Sequence, residues 1–486
     1  MSVFTQTFQH SVKQQLHAFL IVASIIFICA LFGILARPLF FLSICWPANA
    51  VLLGLFLRFK SLNHFGGWFG AFTALMFADL FTGSTFVVTL LLTMANLLNP
   101  IVSLLLIHVF KLNYKEYNKG LTFLYLFILC SIGGCLASST FVALTLPYVN
   151  NTFMNMDRIW IDFGMWWSGE VLNMIAFLPV VLAMPDRQTF HQAIQNIKFK
   201  VLPFHIFLPL IAVIISVSLT HFFIGPGALM FPIAALVWAS LSYNLFFITL
   251  INCIVCMLLN NTLNEFYIHQ SPNAFLATSI SIRMGLFMLA LAPLTLAIIS
   301  LNRQKLYQQI LYLANYDSLT MVMNRRFFYE KSEDIVGTTN KIQTEKTITI
   351  LLLDLDHFKK INDQHGHYNG DLVLQSFTQK IKNILCDDDL FGRLGGEEFA
   401  ILLKNVNINQ SIILAEKIRN IIQSTPTSLE NGEQIYISVS IGLSFETLPY
   451  CFPIQQLINR ADHALYQAKE KGRNQICLET HLQPFA

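Results

Sequence analysis

The sequence predicts a polytopic α-helical membrane domain followed by an α/β domain with a central, mainly antiparallel sheet. Three observations predict this division. Of the 486 residues, 55% are hydrophobic and only 12% are charged, whereas about 25% charged residues are usual in a soluble domain. Long apolar stretches fill the chain as far as residue 300. Beyond that point charge returns, and the pattern becomes that of a soluble α/β domain.

The membrane domain, predicted for residues 1–300, contains about ten apolar segments near the length that crosses a bilayer. They lie around residues 17–36, 38–57, 66–82, 86–109, 121–147, 160–184, 203–222, 227–243, 245–260 and 280–300. With the amino terminus in the cytoplasm, the lysines and arginines fall mostly in inner loops, and the outer loops carry only Arg37 and Arg158. The positive-inside rule and an even number of spans therefore predict a cytoplasmic C-terminal domain.

Four ionisable residues lie in or near these segments, namely Asp79, Asp162, Glu170 and Arg283. Such groups are unfavourable in lipid and usually face a bundle interior or a cavity. Two interpretations stay open: a site for an unknown sensory ligand or ion, or polar contacts between helices. Cys253 and Cys256 form a C-x-x-C motif with no second pair. We interpret them as small buried apolar side chains rather than zinc ligands.

Residues 301–316 are predicted to form a helical signalling linker. Apolar side chains recur at Leu301, Leu306, Ile310 and Leu313. This spacing fits a short helix that pairs with its copy in a dimer. It fits equally an amphipathic extension of the last membrane segment, and either structure would transmit a movement.

The α/β domain is predicted for residues 317–486, and its first candidate functional residues are two acids at the end of a strand. Residues 347–353 are apolar and β-branched, and Asp354 and Asp356 follow them. Strand alternation puts these two carboxylates on one face, with Leu355 opposite. Acidic groups at the end of a buried strand are unfavourable unless they are paired or bound to a metal.

A second pair of carboxylates follows two adjacent glycines. Residues 391–403 contain two apolar runs joined at Gly395 and Gly396, which predicts a β-hairpin with its turn at the glycines. Glycines let the backbone approach a bulky ligand because no Cβ intervenes. Glu397 and Glu398 beside this gap can hold a divalent cation against phosphate oxygens.

These motifs resemble the GGDEF family of diguanylate cyclases. The resemblance covers residues 317–478 in order, and it is carried by DLDHFKKIND (354–363), GH (366–367), GD (370–371), GGEEF (395–399), SVSIG (438–442), ADHALYQAK (461–469) and GRN (472–474). It implies a palm-like, nucleotidyl-cyclase-like fold. It also implies the condensation of two GTP molecules into cyclic di-GMP and two pyrophosphates.

The resemblance assigns roles to particular residues. For Mg²⁺, or Mn²⁺ in its place, it implies the ligands Asp354, Leu355 through its carbonyl, Glu397 and Glu398. It implies catalytic roles for Glu397, as proton acceptor, and for Lys359, as a charge that stabilises the phosphates. For GTP it implies contacts from Asn362, His367, Asp371, Lys469, Arg473, Gly395 and Gly396.

Three physical arguments accompany these roles. A carboxylate at Asp371 accepts both the ring N–H and the exocyclic amine of guanine, which favours GTP over ATP. Lys469 and Arg473 are expected at i and i+4 on one helix face, where they would clamp the terminal phosphates. Because each domain holds one GTP and two nucleotides must face each other, a homodimer through this domain and the linker is expected.

The membrane half resembles the MASE type of integral membrane sensor domain. The motifs are CWPANA (45–50), WWSGE (166–170) and FLP (177–179). This resemblance implies perception of a signal at the membrane rather than transport. Together the two resemblances predict a multi-pass protein of the bacterial inner (cytoplasmic) membrane, embedded in the lipid bilayer, with its catalytic domain in the cytoplasm.

Two positions depart from the GGDEF pattern. Most members have glycine where this chain has Met321, which bears on the local turn rather than on the active site. The family's inhibitory product site is Arg-x-x-Asp, but here Cys386 stands at the arginine position and only Asp389 remains. A thiol cannot offer the bidentate fork that phosphate or guanine needs, so no feedback inhibition through this site is expected.

Two alternative functions belong to other classes. One is a catalytically silent membrane receptor that binds GTP or cyclic di-GMP, although such members usually lose the acids or the glycines that this chain keeps. The other is a transporter with a regulatory nucleotide domain, which predicts an inverted repeat among the spans. No convincing repeat is found. The net charge of +3 is too small to indicate a nucleic-acid partner.

Overall fold

The computed structural model describes residues 2–36, 45–113, 122–150, 152–188, 190–191, 203–223, 225–270, 275–340, 346–448 and 453–479. The chain divides into two compact units, Met1–Lys305 and Leu306–Ala486. The predicted segment 38–57 lies partly outside the described residues, as do Arg37 and the predicted inner-loop lysines at 115 and 119.

The first unit is helical. Its α-helices are α1 (Ser2–Leu35), α2 (Ala48–Arg58), α3 (Phe65–Phe81), α4 (Phe86–Val109), α5 (Thr122–Ile128), α6 (Cys135–Thr145), α7 (Ile159–Ala183), α8 (Leu208–Phe222), α9 (Ile233–Ser242), α10 (Leu245–Gln270) and α11 (Phe275–Asn315). A π-helical turn, Leu129–Gly134, joins α5 to α6. The last helix, α11, contains the boundary between the two units.

Seven helical segments in the described part of the chain are long and apolar enough to cross a membrane. Three further apolar helices are shorter, at Ala48–Arg58, Phe65–Phe81 and Gly227–Ser242. These three coincide with predicted segments 38–57, 66–82 and 227–243. The structure therefore gives several apolar helices, of which seven have spanning length.

The distribution of side chains in this unit is that of helices in lipid. Large apolar side chains point outward, and Ile28, Phe81 and Phe222 are 66%, 72% and 80% exposed. Buried positions include many small and polar residues, such as Asn96 and Ser138. Helices in a bilayer associate through small and hydrogen-bonding side chains because lipid supplies no hydrophobic driving force between them.

The second unit is an α/β fold around a six-stranded sheet with the order β1-β3-β4-β2-β7-β8. The strands are β1 (Met323–Asn324), β2 (Lys346–Leu355), β3 (Leu390–Gly395), β4 (Glu398–Lys404), β5 (Thr427–Ser428), β6 (Gln434–Ile435), β7 (Val439–Leu448) and β8 (Ile476–Glu479). The helices are α12 (Arg325–Asn340), α13 (Phe358–Lys382), α14 (Ile408–Ser424) and α15 (Ile454–Glu470). Strands β5 and β6 form a separate two-stranded sheet.

The sheet is mixed but mainly antiparallel, as expected, with three antiparallel pairings and two parallel ones. Strand β2 pairs antiparallel with β4 and β7, and β3 pairs antiparallel with β4. Both outer pairings, β1 with β3 and β7 with β8, are parallel. The second parallel pair follows from the crossover through α15, because a helix between two strands returns the chain in the same direction.

Strand β2 lies at the centre of the sheet and is buried on both faces. Leu351 and Leu353 pack in one core with residues of α13 and α14. Ile350 and Leu352 pack in a second core with residues of α15. Burial on both faces explains why the sequence of β2 is a continuous apolar run rather than an alternating one.

The start of this unit is a turn held by Asp317. Its Oδ1 accepts hydrogen bonds from the backbone N and the Oγ1 of Thr320, at 2.9 and 2.7 Å. The helix that follows, α12, begins only at Arg325. Met321 completes the turn in a left-handed conformation, with φ 55°, which is where a glycine would avoid a steric cost.

Candidate active site

Asp354 ends β2 on the face that packs against α15. It lies opposite Glu398 of β4 and Ser440 of β7, and its side chain is only 6% exposed. Its Oδ2 is 2.8 Å from Nζ of Lys469. Burial raises the pKa of Asp354, and the lysine opposes this effect without cancelling it. The buried carboxylate of Asp354 therefore pairs with the ammonium of Lys469 at a position where burial disfavours the negative charge.

Asp356, two residues further on, has a different environment. Its carboxylate accepts hydrogen bonds from the hydroxyls of Ser438 and Ser440, both at 2.7 Å, and from the backbone N of Asn474 at 3.0 Å. The side chain is 5% exposed. The sequence placed Asp354 and Asp356 on one face, but only Asp354 keeps oxygens that are not committed to neutral donors of the fold.

The hairpin of β3 and β4 forms as predicted, with its turn after Gly395. Arg393 fixes this turn, because its Nε and Nη2 donate to the Gly396 carbonyl at 2.9 and 2.7 Å. Its Nη1 donates to Asp317 Oδ1 at 2.9 Å. Partial burial raises the pKa of Asp317, but the hydrogen bonds from Thr320 and Arg393 outweigh it and leave that pKa below its ordinary value.

Glu397 lies in the turn next to Asp354. Its carbonyl accepts a hydrogen bond from the backbone N of Leu355 at 3.3 Å, so the turn is attached to the end of β2. Burial raises the pKa of Glu397, and the negative charge of Asp354 raises it further, while Lys469 lowers it. The structure thus brings Asp354, Glu397 and Lys469 into one electrostatic cluster. Glu398 is exposed beside them.

Lys469 and Arg473 do not share a helix face, which corrects the i, i+4 expectation. Helix α15 ends at Glu470, and Arg473 lies in the following turn with φ 65°. The chain reverses there because the backbone N of Arg473 donates to the Ala468 carbonyl at 3.0 Å. Arg473 still acts on the cluster, since its charge contributes to lowering the pKa of Asp354 against the larger effect of burial.

The residues expected to bind guanine lie on the two halves of α13, which kinks at Gly366. That residue has φ 80° and ψ 158°, a conformation that glycine adopts without strain. Asn362 precedes the kink and packs against Gly370, which follows it, and a Cβ at Gly370 would overlap the amide of Asn362. Lys359, His367 and Asp371 are exposed and form no hydrogen bond or ion pair with other described residues.

The donor set near Asp354 fits a hard divalent cation. Two carboxylates, Asp354 and Glu397, and the backbone of Leu355 meet at the end of β2, and oxygen ligands are those that Mg²⁺ and Mn²⁺ prefer. Within the described ranges, no group of three or more His, Cys, Asp and Glu side chains is arranged to hold a metal.

The residues at the family's inhibitory position, Cys386 and Asp389, lie in one turn. Cys386 is exposed, and its backbone N donates to Asp389 Oδ2 at 3.0 Å. Asp389 is thus engaged by the backbone of its own turn rather than by an arginine side chain.

The sequence assigned no site role to several residues that support the site, namely Asp356, Arg393, Ser438, Ser440 and Asn474. The signal for two of them was present, because serines at 438 and 440 alternate on one face at the start of β7. Nothing local in the sequence joins Asn474 to Asp356, which precedes it by 118 residues.

In the first unit, Glu170 is the centre of a buried polar network. Its oxygens accept hydrogen bonds from Asn49 of α2, Asn99 of α4, Ser138 of α6 and Trp166 of α7, at 2.5 to 3.1 Å. Four helices are thereby connected through one carboxylate, which is 7% exposed.

Two of the other ionisable residues in the apolar helices contact backbone groups. Arg283 donates from Nη1 to the Met165 carbonyl at 2.7 Å. Asp162 accepts from the backbone N of Asn155 at 3.1 Å. Asp79 is buried, at 2% exposure.

The fold and the site define a class of protein: a palm-like α/β domain with two carboxylates and a lysine at the end of its central strand, preceded by apolar helices. The family model described as "Diguanylate cyclase, GGDEF domain" matches residues 314–475. A probable diguanylate cyclase, DgcF, of Escherichia coli O157:H7 is 29% identical over 449 residues, covering 89% of this chain and 88% of that protein. The probable diguanylate cyclase DgcF of Escherichia coli K12 is 34% identical over 280 residues, covering 55% of this chain and 84% of that protein.

The chain therefore belongs to the GGDEF family of diguanylate cyclases. The similarities support an enzyme that makes cyclic di-GMP. Among solved structures, the chain is similar to the GGDEF domain of DgcB from Caulobacter crescentus in complex with cyclic di-GMP. The similarity covers 34% of this chain and 96% of that chain, with 30% sequence identity and a TM-score of 0.33.

Proposed function

We propose that this protein is a membrane-bound diguanylate cyclase that condenses two GTP molecules into cyclic di-GMP and two pyrophosphates. The observation that carries the proposal is the cluster of Asp354, Glu397 and Lys469 at the end of β2. Two carboxylates with raised pKa values and a cation at one point suit a site that binds a divalent metal and triphosphate oxygens.

The residues of the chain act on the substrate as follows. Asp354, the Leu355 carbonyl and Glu397 would hold Mg²⁺ or Mn²⁺, with Glu398 assisting. An ion bound there would supply positive charge against the phosphates. Lys469 and Arg473 bind the terminal phosphates, and Lys359 stabilises phosphate charge. Glu397 accepts the proton of the attacking 3′-hydroxyl.

Nucleotide selection belongs to α13 and the hairpin. Asn362 and Asp371 bind the guanine edge, and His367 contacts the nucleotide. Gly395 and Gly396 admit it because they carry no Cβ. Arg393 keeps the hairpin turn in place through the Gly396 carbonyl.

The product requires two nucleotides in antiparallel orientation, so the active form is a homodimer through the cyclase domain, residues 317–486, and the linker, residues 301–316. The exposed side chains of Leu306, Ile310 and Leu313, at 57%, 54% and 71%, support a helix that pairs with its copy.

The membrane domain, residues 1–300, is a MASE-type sensor of about ten spans that binds an unknown ligand and regulates the cyclase. Seven helices of spanning length and their outward apolar side chains support placement in the bilayer. The protein is a multi-pass protein of the bacterial inner membrane, with GTP reaching the catalytic domain from the cytoplasm.

The test uses the purified full chain with GTP and Mg²⁺ or Mn²⁺, and cyclic dinucleotide is measured by chromatography. We expect cyclic di-GMP from the unaltered chain and at least about a 100-fold loss in Glu397→Gln. Glu430→Gln, which removes an exposed acid of the same domain, is the control and should keep full activity. A chain that binds GTP but forms no product would be the silent receptor instead.

A further inference from the structure

A cavity of about 690 Å³ opens in the first unit where α2, the turn before α3 and the end of α4 meet. Phe56 and Leu57 of α2 and Leu104 and Ile107 of α4 form its apolar wall. This volume lies within the range of small-molecule and cofactor sites, about 300–1,000 Å³. The cavity is large enough for more than a solvent molecule, and its wall does not suit water.

The rim of the same cavity is basic. Lys60 and His64 lie on one side, and His108 and Lys111 lie at the end of α4 on the other. All four are exposed, and none of them forms an ion pair with the described residues.

The described residues of α2, α3 and α4 around this rim are poor in acids. Asp79 is the single acidic residue of the described stretch 45–113. It lies on α3, 15 residues after His64, which is about 22 Å along a helix.

Arg58, at the same end of α2, is a basic residue whose positive charge is neutralised within the fold. Its guanidinium donates to the carbonyls of Val181 and Leu182, and it forms an ion pair with Asp186 at 2.9 Å. Lys60, two residues later, and Lys111 have no such partner in the described residues. Helix dipoles favour cations near the ends of α2 and α4, but they do not explain an apolar cavity between those cations.

The position of the rim identifies the chemistry of the ligand. Phe59, Phe65 and Phe110 adjoin the basic residues and are 41%, 78% and 63% exposed. Exposed aromatic and basic side chains together mark the depth at which lipid meets water. In the orientation given by the positive-inside rule, Lys60 and Lys111 face the cytoplasmic leaflet, which carries anionic lipids.

We infer that this cavity binds one anionic phospholipid of the cytoplasmic leaflet. Its phosphate faces Lys60 and Lys111, and one acyl chain lies along the wall formed by Leu104 and Ile107. The inference rests on the proposed placement in the membrane. It adds a lipid ligand on α2 and α4, the two helices whose Asn49 and Asn99 also bind Glu170.

The experiment titrates the purified full chain in detergent with phosphatidylglycerol or with phosphatidylcholine of the same acyl chains, and bound lipid is counted by native mass spectrometry. We expect preferential binding of phosphatidylglycerol. In the double variant Lys60→Gln/Lys111→Gln that binding should weaken about 30-fold. Each lysine contributes about 1 kcal/mol to the binding of an anionic lipid, and each 1.4 kcal/mol corresponds to about a tenfold change in affinity.

The matched control is Lys13→Gln/Lys305→Gln, which removes two exposed basic charges of the same unit outside the cavity. It should bind phosphatidylglycerol as the unaltered chain does, and glycerol phosphate alone should not compete. Equal binding by both double variants, no preference between the lipids, or displacement by glycerol phosphate would overturn the inference. Extraction of the chain from membranes at alkaline pH would instead contradict the membrane placement itself.

Discussion

The two units of this protein each bury a carboxylate, and the two carboxylates are handled in opposite ways. Glu170 accepts four hydrogen bonds from neutral donors on four helices. Asp354 meets a single lysine, and its pKa is raised by burial. A carboxylate whose oxygens are all engaged by the fold connects elements of structure. A carboxylate whose negative charge is disfavoured by burial, and which pairs only with a lysine side chain, is available to a ligand.

Asp356 sharpens this comparison because it lies in the same unit as Asp354 but resembles Glu170. Three neutral donors engage it, and they belong to β7 and to the turn that carries Arg473. Proximity to the active site is therefore not the same as a role in metal binding.

The largest effect is expected from Asp354→Asn. It removes a negative charge from the proposed metal site, so kcat/KM for GTP should fall by about 100- to 1,000-fold or more. The thermal midpoint should hardly change, because the fold already disfavours the charge of Asp354. Activity and thermal unfolding are measured on the same preparation, with the exposed Asp387→Asn as the control. A large loss of stability would place Asp354 with the structural carboxylates.

Glu170→Gln should show the reverse pattern. The amide keeps one acceptor oxygen and places an NH₂ group against the donors of the network, which costs about 1–3 kcal/mol. The thermal midpoint of the detergent-solubilised chain, followed by tryptophan fluorescence, should therefore fall. Glu265→Gln removes an exposed acid of α10 and should leave the midpoint unchanged. An unaltered midpoint in Glu170→Gln would mean that the network does not stabilise the bundle.

Asp356→Asn should have an intermediate effect on substrate binding. Losing one acceptor oxygen loosens the turn that contains Arg473 and Asn474. KM for GTP should therefore rise about tenfold, which corresponds to a loss of about 1.4 kcal/mol of binding free energy. The change in kcat should be smaller. Separate determination of KM and kcat checks this. If kcat fell as far as in Asp354→Asn while KM stayed constant, Asp356 would belong to the metal site.

The smallest effect, none, is expected from Asp389→Ala in a titration of the enzyme with cyclic di-GMP. Cys386 cannot supply the guanidinium fork that the inhibitory site needs. The rate should respond to product in the same way with and without the substitution. Inhibition of the unaltered enzyme that this substitution abolishes would show that the site works without the arginine.

Much of the cyclase domain was predictable because its signals are local. The strand at β2, the hairpin at Gly395 and Gly396 and the helical patterns follow from side-chain periodicity over a few residues. The helix face of Lys469 and Arg473 was wrong because α15 ends at Glu470 and the backbone N of Arg473 turns back to the Ala468 carbonyl. Gly472, which has φ 112°, stands between the two residues and was the local signal for this end. The parallel outer strands were also missed, because strand direction depends on the crossover rather than on composition.

The sequence by itself determined that apolar helices precede an α/β domain, and that carboxylates follow a buried strand and a glycine hairpin. Only the tertiary structure decided that Asp354 pairs with Lys469, whereas Asp356 is saturated by Ser438, Ser440 and Asn474. The physical reason is distance along the chain. Periodicity fixes which face a side chain takes, but its partners lie 82 to 118 residues away. The pairing of β2 with β7 and the packing of α15 and its following turn on the sheet bring them together.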